Sequence, residues 1–201
     1  MGGIVRITSG ILGGRRIAVP PGPVRPTQDK VRQALFSILG GRVAGCRFLD
    51  LYAGSGSVGI EAWSRGADLV TWVELDHRTA RVLRQNAGMC GAGGRVLVGD
   101  SLRVLKKGLE NCPFDIIFAD PPYEKRIHAG RTSDWQSRLL GLIQEGRMLA
   151  EGGLVVLEQA AGTAVEAVPG WVLTDERRYG AAGLRFFRLA PVAAAEGEKR
   201  R

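Results

Sequence analysis

Asp120, Pro121, Pro122 and Tyr123 follow the apolar run FDIIFA without a break. Consecutive prolines fix φ near about −65° and carry no N–H, and the residue before them is held extended. The Asp120 carboxylate and the Pro121 carbonyl are thereby aimed side by side as acceptors. That pair suits an amino group, and the Tyr123 ring offers a face on which a planar base can stack. Asp-Pro-Pro also makes ordinary turns; its place at a strand end, beside a second motif, favours the chemical use.

The second motif is DLYAGSGSVGIEA, Asp50 to Ala62, with Gly54, Gly56 and Gly59 spaced G-x-G-x-x-G and Glu74 twenty residues after the first glycine. Such glycines permit a tight strand-to-helix turn and close backbone approach to a ligand at a helix N-terminus. A carboxylate at the end of the next strand can accept from both ribose hydroxyls. This is a dinucleotide fingerprint, and an NAD-dependent oxidoreductase is one reading of it. Asp50 argues otherwise, because an acid before the glycines repels a pyrophosphate and favours an ammonium or sulfonium group. Asp76 reads as the N-cap of a helix from His77. Asp100 either accepts from an adenine amino group or caps the helix from Ser101 to Glu110.

The elements that must position these groups alternate. CRFLDLY precedes helix SVGIEAWSRG, DLVTWVEL precedes HRTARVLRQNAG, and GRVLVG precedes SLRVLKKGLE. FDIIFAD precedes a loop and helix DWQSRLLGLIQEGRML, and GLVVLEQ closes the series. Short apolar strands separated by helices predict an α/β fold with a mostly parallel sheet covered on both faces. Ligands then bind beyond the carboxyl ends of the strands, where both motifs fall. WVLTDERRYG and GLRFFRLA, with only a glycine turn between them, predict an antiparallel C-terminal hairpin.

Before this core, ITSG, ILGG and RRIAV read as a small two-stranded unit ended by PPGPVRP, too small to fold alone. Thr27 is positioned to cap a helix from Gln28 to Leu39, with Val31, Leu35, Ile38 and Leu39 along one face and Gly40-Gly41 as its stop. The organisation expected is a basic hairpin-and-helix extension over 1–41, a core over 42–190 and a disordered tail over 191–201.

A chain of 201 residues with 45% hydrophobic content supports one well-buried core. Cys46, Cys90 and Cys112 stand far apart in odd number, against a disulfide framework or a zinc ribbon. No apolar run reaches the roughly eighteen residues of a membrane span, and the opening lacks a signal-peptide pattern, so a cytosolic location is expected. The formal charge of +8 points to a polyanionic partner. Up to Arg32 the basic residues are Arg6, Arg15, Arg16, Arg25, Lys30 and Arg32, against Asp29 alone. Lys125, Arg126, His128 and Arg131 form a second basic group. Segregation of this kind favours nucleic acid over a merely solvated surface.

The glycine loop, Glu74 in VELD, Gly99 to Ser101 and DPPY resemble the ordered motifs of class I S-adenosylmethionine-dependent methyltransferases acting on exocyclic amines. With RPTQDKVRQALFSIL, the ITSGILGGRRIAVP opening and the terminal YGAAGLRFF, nearly the whole chain is similar to the RsmD family of 16S ribosomal RNA guanine-N2 methyltransferases. The opening departs from the family's isoleucine-glycine-glycine start, and AAG stands where a threonine is common.

The resemblance implies a Rossmann-like fold with seven strands and S-adenosylmethionine over the first strand's turn. Asp50 would lie near the methionyl end, with Gly54 and Gly56 beneath the cofactor, Glu74 on the ribose and Asp100 on the adenine. Tyr52, Ser55, Leu75, Ser101 and Thr27 complete the implied cofactor site. Asp120, Pro121, Pro122 and Tyr123 are the implied catalytic segment. Arg6, Arg15, Arg16, Arg25, Lys125, Arg126 and Arg131 are the implied RNA contacts. The partner implied is 16S ribosomal RNA in an assembling or assembled small subunit, bound by a monomer. Guanine carries an N1–H donor beside N2, which suits a carboxylate at Asp120, yet similar motifs serve adenine-N6 enzymes acting on DNA. A binding-only assembly factor with a vestigial pocket is disfavoured by the intact acids at Asp50, Glu74 and Asp120.

Overall fold

The computed structural model describes residues 2–21, 29–121, 127–128, 131–132, 135–165 and 167–191. β1 (Gly3–Arg6) and β2 (Arg16–Val19) form an antiparallel pair, followed by α1 (Asp29–Leu39) and a 3-10 turn over Gly40–Val43. Then come β3 (Arg47–Leu51), α2 (Ser57–Ser64), β4 (Leu69–Glu74), α3 (His77–Met89), β5 (Gly94–Val98), α4 (Ser101–Lys107) and β6 (Phe114–Ala119). The short strands β7 (Ile127–His128) and β8 (Arg131–Thr132) precede α5 (Trp135–Glu145), β9 (Leu149–Ala160), β10 (Trp171–Tyr179) and β11 (Ala182–Leu189).

Seven strands form one sheet in the order β10-β11-β9-β6-β3-β4-β5. β9, β6, β3, β4 and β5 run parallel, and β11 lies antiparallel between β9 and β10. The chain steps from β3 outward to β5 and then returns to β6 on the other side of β3. The carboxyl ends of β3 and β6 therefore flank the crevice where open α/β sheets bind ligands.

Both sheet faces are apolar because each is covered by helices. Phe48, Trp72, Phe118 and Val156 meet residues of α1 to α3 and of the hairpin, whereas Leu49, Val73, Ile117 and Val155 meet residues of α4 and α5. The opening is thus part of the core's packing: Val5, Ile7, Ile17 and Val19 are buried in the first cluster.

Polar bonds fix its orientation. Glu61, buried in α2, accepts from the Thr8 N–H at 2.7 Å, the Thr8 hydroxyl at 2.6 Å and the Ser9 N–H at 3.1 Å. Arg32, also fully buried, donates to the Arg6 carbonyl at 2.6 Å and pairs with Asp29 at 2.9 Å and Glu61 at 3.4 Å. Gly10, at φ +81°, is pressed so closely on α2 that an added Cβ would lie 1.9 Å from the Ser64 carbonyl oxygen.

Several sequence expectations shift. The buried face of α1 is Val31, Arg32, Leu35, Phe36 and Leu39, while Ile38 is exposed. Arg32 therefore leaves the basic surface and becomes a core ion-pair partner. Gly40-Gly41 does not stop the chain's winding, which tightens into the 3-10 turn. The segment expected to carry the last helix to Leu149 winds only to Glu145, and β9 begins at Leu149, before Gly153. Thr27, the expected cap of α1, lies outside the described residues.

Candidate active site

β3 ends at Leu51, which is level with Val73 of β4 and Ala119 of β6. The next residues on the three strands are Tyr52, Glu74 and Asp120. Asp120 and Glu74 are thus two strand spacings apart, roughly 10 Å, on either side of Tyr52. Side-chain alternation extends from Phe48, Trp72 and Phe118 to Asp50, Glu74 and Asp120. The three acids consequently belong to the sheet face that carries the hairpin and α1 to α3.

The glycine loop turns sharply between β3 and α2. Tyr52 (φ +63°), Gly54 (φ +55°) and Gly56 (φ +83°) all occupy the left-handed region, and Gly56 is the N-cap of α2. Glu74 holds the turn: its Oε2 accepts from the Gly54 N–H at 2.8 Å and its Oε1 from the Asp76 N–H at 2.8 Å. Gly59 lets α2 lie directly on β4, since a Cβ there would sit 2.1 Å from the Trp72 Nε1. This third glycine serves helix–sheet packing and not the ligand.

Asp50 is 1% exposed and accepts the Gly59 N–H at 2.9 Å. Burial pushes its carboxyl up to about 8, the Gly59 N–H opposes that shift, and the charges of Asp120 and Glu74 add to it. A buried acid with acidic neighbours is a place where a cation gains most. Tyr52 bridges to the other side of the site, its hydroxyl accepting from the Trp135 indole N–H at 2.9 Å and also hydrogen-bonding Ser101. Desolvation raises the Tyr52 phenol above its ordinary range.

The rim around these groups is mixed. Leu75, beside Glu74, is 54% exposed and offers an apolar surface to a flat ring. Asp100 caps α4 through the Arg103 N–H at 3.1 Å, and Asp76 caps α3 through the Thr79 N–H at 2.7 Å. Ser55 and Ser101 are buried, and the Ser55 Oγ has no hydrogen-bond partner among the described residues. Carboxylates, an apolar ledge and a free buried hydroxyl together fit an adenosine carrying a cationic substituent.

Asp120 is partly buried and Pro121 is buried at the end of β6. Pro122, Tyr123, Lys125 and Arg126 lie outside the described residues, as do Arg25 and Thr27, and of Arg131 only the backbone, in β8, is described. Arg6, Arg15 and Arg16 are exposed on the hairpin, and Arg15 donates to the Met89 carbonyl. Arg6 and Arg16 stand directly opposite in the β1–β2 register. Like charges so placed cost stability unless an anion lies between them.

Four residues with parts here were not singled out for them from sequence. Trp135 orients Tyr52, Asn86 supports the loop, and Glu61 with Arg32 docks the opening. Glu61 left a readable trace, an acid inside the apolar helix segment SVGIEAW.

The family model described as "Conserved hypothetical protein 95" matches residues 5–188. Ribosomal RNA small subunit methyltransferase D of Escherichia coli (strain K12) is 31% identical over 92% of this chain and 90% of its own length. YlbH of Bacillus subtilis (strain 168) is 34% identical over 92% of this chain and 98% of its own. The solved structure of the Escherichia coli protein yhhF superposes with a TM-score of 0.80 at 30% identity, covering 94% of this chain and all of that one. The chain belongs to this family, the RsmD family of ribosomal RNA small subunit methyltransferases.

Proposed function

We propose that the protein transfers a methyl group from S-adenosylmethionine to the exocyclic N2 amine of a guanine in 16S ribosomal RNA. The observation that carries this reading is the level row of Asp120, Tyr52 and Glu74 above the buried Asp50, in a family named for ribosomal RNA methylation. S-adenosylmethionine supplies an electrophilic sulfonium methyl. Glu74 and Leu75 receive the ribose and adenine, Asp50 favours the positive methionyl end, and Asp100 with Ser101 lies at the adenine edge.

The guanine N2 lone pair is delocalised into the ring, which makes the amine a poor nucleophile. Asp120 and the Pro121 carbonyl accept its two hydrogens and turn the lone pair toward the methyl carbon. As the methyl group passes to N2 the amine must lose a proton, to Asp120 or through water. Pro122, without an N–H, adds no competing donor, and Tyr123 supplies the stacking face. The hairpin's Arg6, Arg15 and Arg16, with Arg25, Lys125, Arg126 and Arg131, grip phosphates. In this reading the protein acts as a cytosolic monomer on an assembling or assembled small subunit; no described helix is long and apolar enough to cross a membrane.

The test is Asp120→Ala in single-turnover methylation of small subunits that lack the modification. Cofactor binding should persist while turnover falls on the order of 10²-fold or more, and mass spectrometry should map the wild-type label to one guanine. Near-normal turnover would remove Asp120 from the reaction, and label appearing only in DNA or protein would overturn the substrate.

A further inference from the structure

Asn86 is fully buried near the end of α3, and its amide joins two segments far apart in sequence. Nδ2 donates to the Ser55 carbonyl at 2.9 Å and to the Ala18 carbonyl at 2.8 Å, while Oδ1 accepts the Ala18 N–H at 3.1 Å. Both amide hydrogens are used, and Ala18 is held through its donor and its acceptor as a neighbouring strand would hold it. Ser55 is the middle residue of the Gly54–Gly56 turn, and Ala18 is in β2 of the basic hairpin.

The Ser55–Gly56 peptide is fixed at both ends. Its carbonyl points to Asn86 and its N–H donates to the Ala53 carbonyl at 2.8 Å. Because a peptide unit is planar, setting the carbonyl sets the N–H as well. One side chain therefore joins the glycine turn, which Glu74 also holds, to the strand that carries Arg16.

We propose that Asn86 is a positioning residue that couples the cofactor turn to the RNA-gripping hairpin, so that occupancy of either strengthens binding at the other. The inference rests on the cofactor and RNA roles proposed above. A ligand that orders the Ser55 peptide restrains the same amide that seats Ala18, and the second ligand then meets a segment already ordered. The linkage must be reciprocal in affinity. A merely structural asparagine would support both segments without passing an effect between them.

Amide hydrogen exchange on the full wild-type chain tests this without a variant. S-adenosylmethionine alone should slow exchange in the loop and also at the Ala18 amide of β2. In Asn86→Ala, and in the near-isosteric Asn86→Leu, the cofactor should still slow exchange in the loop but no longer change it in the hairpin, each variant being compared with and without cofactor. In titrations, a transcript of small-subunit ribosomal RNA should lower the Kd for S-adenosylmethionine about fivefold or more in the wild type, with the ratio falling close to one in either variant. Hairpin exchange indifferent to the cofactor in the wild type, or an unchanged ratio in folded variants, overturns the role of Asn86. Cofactor that protects not even Gly54 to Gly59 would instead remove the cofactor reading, and this inference with it.

Discussion

The Asp50 carboxylate, fully enclosed beneath the glycine loop, accepts the Gly59 N–H at 2.9 Å and so pins the first turn of α2 to the end of β3. An acid is used where an asparagine oxygen would make the same bond. The extra property it brings is charge.

That charge has a direction with pH. Burial pushes the carboxyl up to about 8 in the folded chain, far above the ordinary carboxylate range near about 4. Between those values the folded state holds a proton that the unfolded state has released, so stability falls as pH rises from about 4 and levels off above about 8. Asp50→Asn should flatten this slope and raise the melting temperature more at pH 8 than at pH 5. A cationic ligand favours the ionised form, so binding of S-adenosylmethionine should release protons near neutral pH. Calorimetry in buffers of different ionisation enthalpy would detect that release.

Gly59→Ala should damage the site from behind. The new methyl would lie 2.1 Å from Trp72 Nε1 and 2.8 Å from Val70 Cγ1, both within the core, so α2 must move off the sheet. A loss of about 1–3 kcal/mol is expected from overpacking. Urea unfolding measures it, and cofactor affinity should fall with it because α2 carries the loop.

Glu61→Ala should cost more, on the order of 3–5 kcal/mol, because it strips the buried Arg32 of one ion-pair partner and frees the Thr8 and Ser9 donors. The hairpin amides should then exchange much faster than those of β3 and β4. If hydrogen exchange at Val5 to Ile7 is unchanged, the carboxylate is not what docks the opening.

Arg6→Ala and Arg16→Ala relieve a like-charge contact, so neither should weaken the free protein. RNA affinity should nevertheless drop, and the slope of log affinity against log salt should become shallower by about 0.7–0.9 for each phosphate contact removed. Filter binding across a salt series separates this outcome from that of a solvated surface, in which the slope stays put.

Much of this arrangement was legible in the chain. The carboxyl ends of the strands, the cap at Asp76 and the parallel series follow from apolar runs and turn residues, which act locally, whereas Asp100 suits a cap and an adenine contact equally by its residue type. Less legible were partners distant in sequence. Arg32 belongs by composition to a basic opening, yet burial against Glu61 removes it from the surface, a choice made by tertiary packing. Ile38 fits the apolar spacing of α1, but the helix turns Phe36 and Arg32 inward instead. Asn86 carries no motif, and its importance lies wholly in which backbone atoms it meets.

β11 is the last described strand in sequence and yet lies inside the sheet, hydrogen-bonded to β9 on one side and β10 on the other. During synthesis β9 can pair with β6 early, but its other edge stays open until residues 182–189 have emerged. The nascent chain therefore presents an unpaired apolar strand edge from the moment β9 forms until β11 follows it. A chain cut before β11 would keep that edge open and yield a sticky fragment in place of a weaker enzyme.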